Sequence, residues 1–137
     1  MTGSAERPVN SLDAHGFLNR YAPAIINQKK AAELIKEYAA GRRDFRHYDL
    51  RGVTLEDVNL SGIDLSGADL STASLTNVDL SDAKLIEAKL INAELTNVQL
   101  RQANLSRASF RGATLTHTSL LTATLRGTVL PNGRTSG

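Results

Sequence analysis

The chain has 137 residues, 16 Lys and Arg against 14 Asp and Glu, a formal net charge of +2 and a sequence pI near 9.2. That length allows one main domain with a small appendage. With no Cys and no Trp in the chain, a disulfide framework and a cysteine-based metal site are excluded, and no apolar run approaches the ~18 residues of a membrane span.

From the N-terminus, residues 1–10 are polar, contain Pro8 and carry no signal-peptide pattern, so a cytoplasmic protein is the default expectation. Segment 1–23 is expected to be mostly flexible. Ser11 could cap a short helix over the next residues, but Gly16 and Pro23 weaken it. A capping helix is expected over 24–41. Its apolar residues Ala31, Leu34, Ile35, Tyr38 and Ala39 recur at three- and four-residue steps, with Lys29, Lys30, Glu33, Lys36 and Glu37 largely elsewhere. Gly41 supplies a stop, and Arg42 and Arg43 suit the negative C-terminal end of the helix.

Residues 42–132 follow a different rule. From Leu50 to Leu130, seventeen consecutive multiples of five are occupied by sixteen Leu and Phe110. Two residues before each lies a second regular position, running Tyr48, Val53, Val58, Ile63, Ala68 and on to Thr128, and nine of these seventeen are Ala. In an α-helix five residues advance about 500°, so such leucines would precess around the axis. In an uninterrupted strand an odd spacing throws alternate leucines onto opposite faces. A chain that makes a short extended segment and then bends, once per five residues, can bury all of them. That is a solenoid in which each coil covers the hydrophobic end of its neighbour.

The second position also sets the coil length. Its β-branched residues return every fourth repeat, at Val58, Val78, Val98 and Thr118, so a twenty-residue coil with four sides stacks them in one column. Charges fit the same register: Asp64 lies under Lys84, Asp69 under Lys89 and Glu87 under Arg107. The expected core includes Leu65, Leu70, Leu75, Leu80, Leu85, Leu90, Leu95, Leu100, Leu105 and Phe110. The remaining positions are mostly Ser, Thr, Asn, Asp, Gly, Lys and Arg, residues suited to turns and solvent.

Stretches such as Ala68-Asp69-Leu70-Ser71-Thr72 and Ala103-Asn104-Leu105-Ser106-Arg107 resemble the A(D/N)LXX unit of the pentapeptide-repeat family. The segment Leu34 to Phe45 is similar to the helix-to-coil lead-in of many cyanobacterial members. The resemblance implies an all-β solenoid, a right-handed quadrilateral β-helix of about four coils, with the N-terminal helix as a lid over the first one. The bulkier inner residues Tyr48, Val53, Val58 and Ile63 agree with packing on such a cap. A helix that instead contacts a partner is the alternative use of this element.

The pattern stops at Leu130, and residues 133–137 are expected to form a disordered tail. No helix follows to cover the last coil, so Leu115, Leu120, Leu121, Leu125 and Leu130 form a possible dimer end. The bland alternative is a monomer whose tail folds over that end. Charge is distributed along the shaft. Residues 48–82 hold seven acids against Arg51 alone, a balance of −6, whereas residues 83–137 hold seven bases against Glu87 and Glu94, a balance of +5. Such an axial dipole can steer an oppositely patterned partner.

Signals for catalysis are missing from this pattern. His15, His47 and His117 are scattered with no zinc-type spacing, no hydroxyl sits in a strand-turn-helix elbow, and Gly52, Gly62 and Gly67 are repeat turn positions rather than a phosphate loop. No cofactor or metal is expected. The expected function is a non-enzymatic protein–protein interaction or scaffolding module with an unknown partner. The runner-up, implied by the resemblance, is a DNA-mimic regulator of DNA gyrase or another topoisomerase; a short rod with a basic second half disagrees with it. Nucleic-acid binding by the basic half lacks exposed aromatics to stack bases. A Thr column at 76, 96 and 116 raises ice binding, but Glu56 spoils that column and Glu94 interrupts its companion, and β-propensity explains the threonines.

Overall fold

The computed structural model describes the backbone of residues 11–137 and the side chains of residues 22–137. It contains one helix, α1 (Ser11–Ala39), and four named strands, β1 (Thr54–Asn59), β2 (Ser74–Asp79), β3 (Glu94–Thr96) and β4 (Thr114–Thr116). The strands form one parallel sheet in the order β1-β2-β3-β4.

The register is set by the repeat. Leu55 pairs with Leu75, Leu75 with Leu95 and Leu95 with Leu115. Shorter parallel pairings join Asp44 to Asp64, Asp49 to Asp69, Asp64 to Lys84 and Asp69 to Lys89. With one exception at the C-terminus, every pairing links residues twenty positions apart. Each coil therefore makes four short ladders with the next. In the first, Phe45 N–H donates to Asp64 C=O at 2.8 Å and Asp64 N–H donates to Arg43 C=O at 2.8 Å. The same exchange repeats up the shaft, which satisfies backbone groups at a spacing of about 4.8 Å per coil.

Between ladders the chain turns. Tyr48 N–H donates to Phe45 C=O, Val53 to Leu50, and Ile63 to Leu60, at 3.1–3.3 Å. The residue before each of these donors has positive φ: His47 (63°), Gly52 (71°) and Gly62 (72°). That combination defines a type II turn. The fourth corner, at Asp57, Asn77, Asn97 and His117, also has positive φ, but β1 and β2 run straight through it. A further device explains the Asp or Asn before many central leucines. Asp64, Asp69, Asp79 and Asn104 each accept, through Oδ1, the N–H two residues on, at 2.9–3.0 Å. These carboxylates and amides close the local turn.

The core runs the length of the shaft. Leu65, Leu70, Leu75, Leu80, Leu85, Leu90, Leu95, Leu100, Leu105 and Phe110 are no more than 2 % exposed. Phe45, Val53, Ile63 and Val78 join them, together with the small residues from Ala68 to Ala108. Each buried Leu is worth about 1.5–3 kcal/mol by transfer.

At the N-terminal end α1 covers the first coil with a narrow stripe. Ala31 and Leu34 are buried and Tyr38 is partly so, its hydroxyl donating to Ser61 C=O at 2.6 Å. Asn27 stands beside Gly52, and Lys30 pairs with Asp49 at 3.3 Å. Asn27, Ala31, Leu34 and Tyr38 repeat at steps of four, three and four, the spacing of a single seam. Ile35 and Ala39, expected on the apolar stripe, face outward instead. The helix stops in a Schellman arrangement: Arg42 N–H donates to Glu37 C=O and Gly41 N–H to Tyr38 C=O, with Gly41 at φ 109°. Arg42 then pairs with Glu37 and stacks over the rings of Phe45 and Tyr48, 4.7 and 5.0 Å from their centroids.

Both termini differ from the sequence-based expectation. The helix starts at Ser11 rather than near residue 24, and Pro23 lies inside it. Proline's φ is helix-compatible; inside a helix it removes one donor and crowds the carbonyl four residues back, and α1 runs through it all the same. Of the segment 1–23 expected to be flexible, residues 11–23 are thus helical, and residues 1–10 lie outside the described residues. The tail 133–137, expected to be disordered, folds back: Val129 pairs antiparallel with Thr135, Gly127 N–H donates to Ser136 C=O, and Ser136 N–H donates to Thr128 C=O. Unpaired edge groups of the last coil recruit the nearest extended chain.

Candidate interaction surfaces

Three features of the surface bear on function: the charge along the shaft, the columns on its faces and the C-terminal end. The acidic half is stitched locally. Arg46 holds Asp44 through two guanidinium bonds at 2.9 Å, and Arg51 holds Asp49 at 2.8 and 2.9 Å. These guanidinium hydrogen bonds lower the Asp44 carboxyl to about 2 and push Asp49 further below the usual carboxylate range; the carboxylates in turn raise Arg46 and Arg51.

Of the three cross-coil charge pairs read from the sequence, one is an ion pair. Arg107 Nε lies 3.1 Å from Glu87 Oε2. Asp64 and Lys84, and Asp69 and Lys89, are backbone neighbours in the expected register, yet neither couple is an ion pair among the described residues. One oxygen of each carboxylate, Oδ1, accepts the turn N–H of Ser66 or Ser71.

Columns form where the register stacks like residues. Thr76, Thr96 and Thr116 align, as do Thr54, Ser74, Glu94 and Thr114. At the fourth corner Asn97 donates to Asn77 and Asn77 to Asp57, and this amide ladder went unnoticed in the sequence. Its signal is an Asp or Asn at 57, 77 and 97, where the backbone needs a residue that tolerates positive φ.

The C-terminal end is half covered. The tail lies along residues 127–130, while Leu115, Leu120, Leu125 and Leu130 are only partly buried and Leu121 is 88 % exposed. The ladder below this end is also open. Leu60 N–H donates to Asp79 C=O and Leu80 N–H to Gln99 C=O, but Leu100 N–H has no such bond to Ser119; Gln102 N–H likewise has none to Leu121, although Asp82 N–H donates to Arg101 C=O. Thr118 stands where lower coils have Val, and its hydroxyl accepts Val98 N–H at 3.1 Å. The strands shorten accordingly, from six residues in β2 to three in β3 and β4. The result is a cleft of about 280 Å³ lined by Val98, Gln99, Leu100, Arg101, His117, Ser119, Leu121 and Thr122.

Among the described residues no group of three or more His, Asp or Glu side chains converges to hold a metal, and no helix is long and apolar enough to cross a membrane. His47 packs on Gly67, and His117 lines the terminal cleft.

A family model for pentapeptide repeats matches residues 55–92 and 93–130, with eight copies of its unit. No curated protein matches the chain. Among solved structures, a pentapeptide repeat protein from Nostoc PCC 7120 (alr5209) is 39 % identical, covers 72 % of this chain and 74 % of its own, and superposes with a TM-score of 0.50. One from the thylakoid lumen of Arabidopsis thaliana is 32 % identical, with coverage of 63 % and 60 % and a TM-score of 0.45. QnrB1, a plasmid-mediated fluoroquinolone resistance protein, is 23 % identical, with coverage of 60 % and 53 % and a TM-score of 0.37.

Proposed function

Since the chain belongs to the pentapeptide repeat family, we propose that it is a non-enzymatic interaction or scaffolding module built on a right-handed, four-sided β-helix. The observation that carries this reading is the division of charge along a shaft whose interior is filled by side chains. Acids cluster beside α1 and bases toward the C-terminal end. A rigid rod of this kind, on the order of 20 Å long at 4.8 Å per coil, presents a patterned field and fixed spacing to another protein.

The alternative of a DNA-mimic acting on gyrase requires acidity along the whole rod. No Asp or Glu follows Glu94, whereas Arg101, Arg107, Arg111, Arg126 and Arg134 do. Association of two copies through the C-terminal coils would bring these arginines together, which opposes it. The test is capture by chemical crosslinking with three proteins: the wild type, Arg101→Glu and Asp64→Lys. Interaction requires that at least one charge reversal removes a specific crosslinked partner while circular dichroism stays unchanged. A gyrase supercoiling assay unaffected by the protein removes the alternative, and inhibition there would replace the scaffold reading.

A further inference from the structure

We propose that α1 binds an acidic amphipathic helix of a partner protein along its outward stripe of Ile25, Gln28, Ala32, Ile35 and Ala39. This rests on the interaction-module reading and names the chemistry of the partner.

Two stripes run along this helix, and the shaft uses one. Asn27, Ala31, Leu34 and Tyr38 face the first coil. At about 100° per residue, Ile25, Gln28, Ala32, Ile35 and Ala39 fall within about 80° of arc, centred about 110° from that first stripe. All five are exposed, Ile25 by 37 % and Ile35 by 36 %. Among the described residues, three of the four exposed large apolar side chains lie on α1; the third of them, Ile26, is off the stripe.

Spacing decides the shape of the occupant. The five positions step by three, four, three and four, as the a and d positions of a heptad do. In the sequence the same alternation runs back through Tyr21, Leu18 and Ala14, and α1 is helical from Ser11. A seam this narrow and this long suits a second helix. A helix lying on a lipid surface carries a broader apolar face, and Gln28 in the middle of the seam opposes that use.

Charge decides the sign. Lys29 and Lys36 are exposed and border the stripe on the side away from the shaft, and neither holds an ion pair among the described residues. Neighbouring bases are already used: Lys30 pairs with Asp49 and Arg42 with Glu37. Glu33 lies further round the helix and pairs with neither free lysine. A partner helix with carboxylates at its flanking positions supplies the missing charge. A second copy would set lysine against lysine in an antiparallel pair, and lysine against Ala24 and Ala31 in a parallel one.

The experiment measures fluorescence anisotropy of two labelled peptides on the full chain. Each is about three heptads long with Leu at a and d, one carrying Glu and the other Lys at e and g. Like charge at those positions keeps either peptide from pairing with itself. We expect the Glu peptide to bind at least about tenfold more tightly than the Lys peptide, with a gain of helical circular dichroism on mixing. Two variants of exposed residues, each checked for an unchanged melting temperature, divide the contributions. Ile25→Ser/Ile35→Ser should weaken Glu-peptide binding at least about tenfold, and Lys29→Glu/Lys36→Glu should reverse the preference. Equal binding of the two peptides overturns the proposal, and so does Glu-peptide binding that survives Ile25→Ser/Ile35→Ser. Displacement of the peptide by vesicles of phosphatidylserine and phosphatidylcholine would assign the stripe to a lipid surface and overturn it too. A concentration-dependent dimer abolished by the same isoleucine variant would overturn it in favour of a second copy. Crosslinking with Arg101→Glu and Asp64→Lys probes the shaft and not α1, so the interaction-module reading fails or stands separately.

Discussion

Asn97 donates its side-chain amide to Oδ1 of Asn77, twenty residues earlier, at 2.7 Å, and Asn77 donates in the same way to Asp57 at 2.8 Å. All three sit at positive φ, 54–55°, on the fourth corner of the coil. The ladder thus adds a side-chain tie between successive coils to the backbone pairing of β1 with β2. Asn77→Ala removes two amide contacts and places a Cβ residue without local hydrogen bonding in the left-handed region, so it should cost about 1–2 kcal/mol in chemical denaturation. Asn77→Gly keeps the conformation and loses only the ladder, and should cost less than Asn77→Ala. Equal losses would assign the whole effect to the amide contacts.

Gly67 tests how tightly the corners stack. Its φ is 72°, and a Cβ there would lie 2.3 Å from His47 Nδ1 of the coil below. Gly67→Ala is expected to destabilise by about 1–3 kcal/mol. Adding His47→Ala should recover the steric part and leave the conformational part, a non-additivity that a double-mutant cycle measures directly.

The acidic half makes a prediction about pH. Asp44 is held to about 2 by Arg46, and Asp49 lower still by Arg51 with help from Lys30. Since unfolded Asp titrates near ~3.9, these groups bind fewer protons when folded. Their contribution is therefore complete above that value and disappears as pH falls through about 2 for Asp44 and lower for Asp49. Both carboxylates are largely exposed, so the contribution is small. Carboxyl NMR should show Asp44 ionised at pH values where a free Asp is mostly protonated. In Arg46→Gln the Asp44 midpoint should return toward ordinary values.

Thr118 marks where the ladder opens. Thr118→Val restores the inner residue of the lower coils and removes the hydroxyl that takes Val98 N–H. Stability should stay within about 1 kcal/mol, while hydrogen-exchange protection of Leu100 and Gln102 rises as the coil closes. Exchange as fast as in the wild type would show that Leu121 and Thr122, rather than Thr118, hold the cleft open.

The register was legible from the sequence because it is written many times: the central residues repeat every five positions, and Val58, Val78 and Val98 mark every fourth repeat. Features resting on single residues were less so. Pro23 suggests a boundary, yet the helix runs through it. The polar tail lacks an apolar pattern, but its pairing uses backbone groups that composition does not reveal. Register alone could not show that Asp64 and Asp69 each turn Oδ1 to the N–H of Ser66 and Ser71 and form no ion pair with the lysines above. The open ladder at Leu100 likewise coincides with one Thr in a column of valines.

The twenty-residue coil underlies the stacked charge pair, the amide ladder and the core columns alike. The most direct measurement is disulfide formation in the double variant Asp64→Cys/Lys84→Cys, whose positions are parallel backbone neighbours at a separation a disulfide can span. We expect rapid, complete oxidation and a raised melting temperature, and none in Asp64→Cys/Asp79→Cys or Asp64→Cys/Lys89→Cys. A bond that forms in either of the latter pairs and not in the first would contradict the coil length and everything built on it.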